Sequence, residues 1–378
     1  ADENAAPKGI YMVCDASDTE FKNIDFEYAG LRNFSSTGLT VANCTFRYNN
    51  GKMTTTGALA IGSDGATFNV DNCTFEYNEV PAIGGSAMSA NGIEITNCKL
   101  IDNNTQNTNK PQVNLTVGGA NSVSIENCEF TGAQRTNVGA VAVANMAGIA
   151  GDNIVWISGN TIRDHRYGIA FYGGMNATVA NNQIIDNKYA SSAMAGGAGI
   201  SIYDYGTKPN VTIKGNTIEG NLWGITVLGG ENVNIGKVDN ADDYNPGHNT
   251  FKNNGNGGAL YDLYNNSALT IYAQGNHWSV DEQTAEKIES VIFHKPDDAK
   301  LGEVIYTPAW DGEGSVNEIA SEAIRYADGK VYAEGADIQV YTLGGALVAR
   351  ANSVADLSAL ASGVYVARAN GKVLKCVK

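Results

Sequence analysis

The chain has 378 residues and a net charge of −15; 43% of its residues are hydrophobic and 17% charged, with 44 Gly and 7 Pro. So acidic a chain excludes nucleic acid and anionic membrane as partners, because both need a basic surface. That hydrophobic share excludes disorder, and low charge with abundant Gly and Asn excludes a helix bundle in favour of short strands joined by tight turns.

From the N-terminus, Ala1-Asp2-Glu3-Asn4 carries neither a charged n-region nor an apolar h-region, as in a mature or trimmed form. A four-residue pattern then begins weakly at Asn23-Ile24-Asp25-Phe26. It recurs as Asn43-Cys44-Thr45-Phe46, Asn72-Cys73-Thr74-Phe75, Asn97-Cys98-Lys99-Leu100 and Asn127-Cys128-Glu129-Phe130. It continues as Gly159-Asn160-Thr161-Ile162, Asn181-Asn182-Gln183-Ile184, Gly215-Asn216-Thr217-Ile218, His248-Asn249-Thr250-Phe251 and Gly275-Asn276-His277-Trp278. The second residues are spaced by 20, 29, 25, 30, 32, 22, 34, 33 and 27, the range of a solenoid whose loops vary in length.

Each unit reads alike. An alternating run such as Val123-Ser124-Ile125 leads into the pattern, an Asn often follows three positions after the large apolar residue, and a Gly-rich bend leads to a second run such as Gly199-Ile200-Ser201-Ile202. Alternation means strands. Coils stacked about 4.8 Å apart place like residues on like. Phe46, Phe75, Phe130 and Phe251 are expected to form an internal aromatic stack, and Asn160, Asn182, Asn216 and Asn249 an amide ladder. Cys44, Cys73, Cys98 and Cys128 share that turn position. Without CxxC spacing they read as buried thiols replacing the ladder amides rather than as a metal or redox site. The most apolar stretch, residues 138–150, is interrupted by Asn145 and is too short to span a bilayer.

Residues 10–280 resemble the pectin-lyase-like parallel β-helix superfamily. Bends such as Gly84-Gly85-Ser86-Ala87, alternating with Phe-x-x-Asn, are similar to repeats of polymorphic outer-membrane adhesins. The resemblance implies a right-handed parallel β-helix of about ten coils over residues 1–280, on a superfamily that hosts lyases, hydrolases, epimerases and adhesins. Residues 281–312 read as a cap closing the solenoid. Ser279-x-x-Glu282 reads as a capping box, and Ala285, Ile288 and Ile292 as one apolar helical face. At the other end, either residues 1–9 form the lid or further chain does. Residues 313–378 read as a small β-sandwich. Within them Ile338-Gln339-Val340-Tyr341-Thr342-Leu343-Gly344-Gly345, Asp356-Leu357-Ser358-Ala359-Leu360 and Ser362-Gly363-Val364-Tyr365-Val366 resemble the C-terminal sorting domains of type IX secretion substrates. That resemblance implies export to the cell surface.

The chemistry-bearing residues are few. A uronate-cleaving lyase needs a Lys or Arg base, further cations and usually Ca²⁺ carboxylates; a polygalacturonase-like hydrolase needs clustered Asp and a Gly-His-Gly, and neither set is present. Asp164-His165-Arg166 is the nearest catalytic cluster, although His165 falls where other coils carry a turn Asn. Asp204 and Asp262 read as ends of the second run two coils apart, about 10 Å, which suits two inverting carboxylates or two strand-ending residues. The run Asp239-Asn240-Ala241-Asp242-Asp243 is a possible Ca²⁺ loop but matches no rigid Ca²⁺ spacing and reads better as solvated; no cofactor or metal site is otherwise expected. Alternation turns Tyr172 and Tyr203 outward, with Tyr205, Trp223, Tyr261 and Tyr264 nearby. Together they form a possible platform for sugar rings, or single exposed aromatics packed on loops. The expectation is an exported, non-catalytic surface protein, an adhesin or glycan-binding β-helix whose partner is a polysaccharide or cell-surface glycan. The alternative is a polysaccharide lyase or glycoside hydrolase acting in a groove on the β-helix face.

Overall fold

The alternating runs form strands of three to six residues that return to the same three directions in every coil. The computed structural model describes residues 9–12, 19–33, 38–62, 67–88, 92–119, 121–149, 151–239, 243–310, 325–327, 330–342, 347–361, 363–369 and 372–377. The chain divides into two compact units, Ala1–Gly312 and Glu313–Lys378. In the first, three parallel sheets of eleven, eleven and nine strands run side by side. One coil supplies Ile169–Tyr172 to the first sheet, Asn176–Ala180 to the second and Gln183–Ile185 to the third. The next coil supplies Ala198–Tyr203, Asn210–Lys214 and Thr217–Glu219 in the same order. Ile169 lies on Ile200 and Phe171 on Ile202. This topology is a parallel β-helix, in which no coil buries its apolar face until its neighbours stack on it.

The interior of the third sheet departs from the expected single aromatic stack. Phe26, Phe46 and Phe75 do stack, at 4.4 and 4.8 Å between ring centres. Leu100 then separates Phe75 from Phe130, and Ile162, Ile184 and Ile218 separate Phe130 from Phe251. Phe251 stacks instead on Trp278 at 4.9 Å. The rings therefore form two end stacks with an aliphatic middle. A buried column requires apolar volume at each level, and an aliphatic side chain meets that requirement as an aromatic does.

The chain enters the third sheet through a two-residue turn, preceded in one coil by an inserted loop between Gly236 and His248, and this turn dictates the chemistry of its residues. The first has positive φ in every coil: 50–58° at Asn23, Asn43, Asn72, Asn97, Asn127, Asn181 and His248, and 66–68° at Gly159, Gly215 and Gly275. Asn and Gly tolerate this left-handed backbone best, hence their recurrence. The second residue points inward and accepts the backbone N–H of its counterpart one coil before. Cys44 N donates to Cys73 Sγ at 3.5 Å and Cys98 N to Cys128 Sγ at 3.4 Å. Cys128 N donates to Asn160 Oδ1 at 2.8 Å, and Asn160, Asn182, Asn216 and Asn249 each donate to the next Asn at 2.9–3.0 Å, ending at Asn276. Thiols and amides are one column performing one task. Cys44, Cys73, Cys98, Cys128 and Cys376 are free thiols; Cys14 lies outside the described residues.

At the C-terminal end the chain closes the solenoid by extending it. Ile292–Phe293 adds a last strand to the first sheet and Val304–Ile305 to the second. The helix before these strands is a single turn, Ala285–Glu289, and its N-cap is Thr284, whose side chain accepts from Lys287 N. This corrects the expected capping box: Ser279 is engaged elsewhere, Ala285 is exposed, and Ile292 sits in a strand, leaving Ile288 as the helix's buried residue. Residues 1–8, expected at the opposite end, lie outside the described residues. The second unit is a five-stranded antiparallel sheet with its own core, including Val331, Ile338, Val340, Leu357 and Ala367.

The turn column generates two predictions. Asn216→Ala strands the Asn182 N–H and Nδ2 that Asn216 Oδ1 accepts, and is expected to lower stability by about 2–4 kcal/mol in urea unfolding. Asn216→Cys, the residue used at four other levels, should cost less; equal losses would contradict a shared role. In native protein Cys44, Cys73, Cys98 and Cys128 are expected to resist a thiol reagent that labels all four after denaturation, as read by mass spectrometry.

Candidate functional site

A second polar column runs inside the solenoid at the turn after the third sheet, and it decides the fate of two expected catalytic residues. The Asn that recurs three positions after the large apolar residue points inward, and its amide reaches one coil onward. Asn78 Nδ2 donates to Asn103 Oδ1 at 2.6 Å, and Asn103 Nδ2 to Gln112 Oε1 at 2.6 Å. Gln112 Nε2 donates to His165 Nε2 at 2.7 Å, and His165 Nδ1 to Asn187 Oδ1 at 3.3 Å. Asn187 then bonds Asn221, Asn221 bonds Asn254, and Asn254 Nδ2 reaches Asp262 Oδ1 at 3.1 Å. Every amide in the row donates toward the C-terminal end, so the row needs a last member that accepts. Asp262 is that member, and it also accepts from Ser279 N and Ser279 Oγ, each at 2.8 Å. The carboxylate thus joins the solenoid to its closing segment.

His165 and Asp262 are buried, at 1% and 0% exposure. His165 replaces a ladder Asn with its Nε2 lone pair already used, and burial pushes its ring down to about 3, so it stays neutral. A general base needs a free lone pair that a substrate can reach, and His165 has neither. Arg166 donates to the Ala195 carbonyl and to Asn109, tying two loops together. Asp164 holds a positive-φ turn position, φ 65°.

The expected Asp204 and Asp262 pair does not form. Gly224 and Asp262 share a register position immediately before the strand residues Ile225 and Leu263, whereas Asp204 follows the strand Ala198–Tyr203. The two carboxylates therefore lie at opposite ends of the first sheet, one buried and one exposed. The misreading has a physical source. Ala259–Leu260 looks like the second run of its coil but pairs as a small antiparallel hairpin with Gly255–Asn256, and the sheet strand is Leu263–Asn265. In the acidic run, residues 240–242 lie outside the described residues, and Asp243 is paired with Lys237 at 2.9 Å. Among the described residues no group of three or more His, Cys, Asp or Glu is placed to hold a metal ion.

The aromatic residues do come together. On the outer face of the first sheet, Tyr172 and Tyr203 stack at 4.7 Å and 8°. Trp223 packs against Tyr264 at 4.8 Å and Tyr261 at 4.8 Å, and Tyr264 stacks on Phe293. Between the two groups the outward positions are small: Ala170, Ser201 and Thr226 share one row with Tyr264. Small side chains flanked by rings leave a cleft of about 120 Å³, lined by Tyr203, Trp223, Tyr264, Ser201, Thr226 and the lip residues Met194 and Leu228. Tyr205 is exposed and bridges to Thr207 instead of lining the cleft. Burial, and then Tyr203, pushes the Tyr172 hydroxyl up to about 12.

Sequence reasoning missed the cleft's floor and lip. Ser201 and Thr226 are ordinary strand residues in the sequence. Met194 belongs to the short 3₁₀ turn Ala193–Ala195, anchored by Trp223 Nε1 donating to Ala193 O at 2.9 Å. The one available signal was the spacing of 34 between Asn182 and Asn216, the longest between anchors, which marks the inserted loop.

Residues 89–276 match the family described as the right handed beta helix region. Together with the three parallel sheets, this match defines a right-handed parallel β-helix. No curated protein and no solved structure matched the chain. No helix among the described residues is long and apolar enough to cross a membrane.

Asp262 generates a pH prediction. Burial pushes its carboxyl up to about 6 despite the bonds from Ser279 and Asn254. A carboxyl whose folded value lies above its unfolded value binds its proton more tightly when folded. Its contribution is therefore greatest below the unfolded value of 3.8 and is lost as pH rises through about 6. Relative to Asp262→Asn, the native protein is expected to lose up to about 3 kcal/mol between about pH 4 and pH 7 in urea unfolding. A difference between the two proteins that stays constant with pH would contradict this assignment.

Proposed function

We propose that this β-helix is an exported surface protein that binds glycan, an adhesin or carbohydrate-binding protein, through the outer face of its first sheet. The observation that carries the reading is the stacked Tyr172–Tyr203 pair beside a cleft walled by Trp223 and Tyr264, with the hydroxyls of Ser201 and Thr226 on its floor. Apolar ring faces with a few convergent hydroxyls match the two sides of a sugar ring, one of C–H groups and one of hydroxyls. The rigid strands beneath hold these groups in place without an ordering cost on binding. Paired-carboxylate hydrolysis requires two carboxyl groups facing one bond, about 5–10 Å apart. Asp262 is committed to the ladder, which favours binding over chemistry at this face. The sequence resemblance of residues 325–378 to sorting domains, on a unit with a separate core, supports the export part of the reading.

Tyr203→Ala and Trp223→Ala are each expected to weaken binding to a responsive polysaccharide at least tenfold, about 1.4 kcal/mol; Trp223→Ala also frees the Ala193 carbonyl and lowers the unfolding midpoint, which Tyr203→Ala leaves little changed. Affinity electrophoresis and titration calorimetry across a polysaccharide panel provide the measurement. Binding unaffected by both changes would remove the platform from the account.

A further inference from the structure

The charges around the cleft discriminate between classes of glycan. We infer that the cleft takes an uncharged pyranosyl unit and rejects uronates, an inference that rests on the glycan-binding reading. No residue lining the cleft carries a charge. Carboxylates lie nearby on two sides. Asp204 directly follows the lining residue Tyr203, and its carboxyl packs against Gly229, beside Leu228 on the lip. On the closing side, burial first, and then neighbours that include the carboxylates of Asp297 and Asp298, hold the Tyr264 hydroxyl above its ordinary value. Arg166 lies beside Gly196 and keeps its charge, with its donors bonded to the Ala195 carbonyl and Asn109. A uronate carboxylate entering here loses hydration, finds no cation in the lining and approaches Asp204, in a protein of net charge −15.

A cationic sugar is the other chemistry an acidic rim admits, but the ring geometry argues against it. A cationic ligand is held best where several rings converge on it as a cage. Trp223, Tyr261 and Tyr264 instead pack on one another, with centres 4.8–6.3 Å apart, and leave no cage between them. Leu228 and Met194 at the lip, 41% and 92% exposed, offer apolar contact suited to a neutral ring.

The test presents each polymer of a panel in matched charge states to the full chain: neutral, oxidised at C6 to the uronate, and, for 2-acetamido sugars, deacetylated to the amine. The expected result is binding of a neutral polymer and at least tenfold weaker binding of its carboxylated form, the gap narrowing in high salt. Leu228→Lys is expected to raise binding of the carboxylated form at least tenfold by placing a cation on the lip. Equal or stronger binding of a carboxylated polymer by the native protein, or preference for the amine, would overturn the inference while leaving the glycan reading intact. Binding of no polymer in any charge state would overturn both.

Discussion

In each coil the chain must turn inside the solenoid while leaving no buried amide without a partner. The two-residue turn between the second and third sheets meets this constraint by placing one residue at positive φ and aiming the next inward to accept the N–H of the coil before. A buried amide left unpaired costs about 1–3 kcal/mol, so the inward residue must accept a hydrogen bond and must be small. Asn meets both conditions well, and Cys meets them less strongly while adding apolar character. This explains why four levels carry thiols and five carry amides within one uninterrupted column, and why thiol chemistry is not required to account for them.

The second column applies the same constraint and shows how it is repaired. Where a coil carries Gly132-Ala133 instead of a turn Asn, Gln112 extends from a neighbouring loop to fill the level and His165 takes the next one. A row of amides donating in one direction must end on an acceptor, and the Asp262 carboxylate both receives the last amide and accepts from the closing segment. Asp262 is thus explained by its place in the ladder. Its elevated titration is the consequence of burying a charge with hydrogen-bond donors but no cation.

Because the interior columns hold the backbone register, the outer face is free to vary. Along the first sheet the outward row runs through Ala142, Ala170, Ser201, Thr226 and Tyr264, small residues rising into aromatic ones. The rings on either side are separated by this low floor, and the cleft arises from the difference in side-chain size. The floor and ring walls of this site are rigid because Ser201, Tyr203, Trp223, Thr226 and Tyr264 stand on strands bonded on both sides.

The sequence by itself determined the repeat, the strand character and the inward-facing residues, because period-two alternation and positive-φ turns are local properties that individual residues reveal. It also placed Tyr172 and Tyr203 on the outer surface, since facing follows from alternation within one strand. Only the tertiary structure decided how coils of unequal length align. That alignment put Asp204 and Asp262 at opposite strand ends, made Ala259–Leu260 a side hairpin, and divided the Phe column with aliphatic residues. It also brought Met194 from an inserted loop onto a cleft floored by Ser201 and Thr226. Register between coils is set by hydrogen bonds across 20 to 34 residues of chain, and no local pattern carries that information.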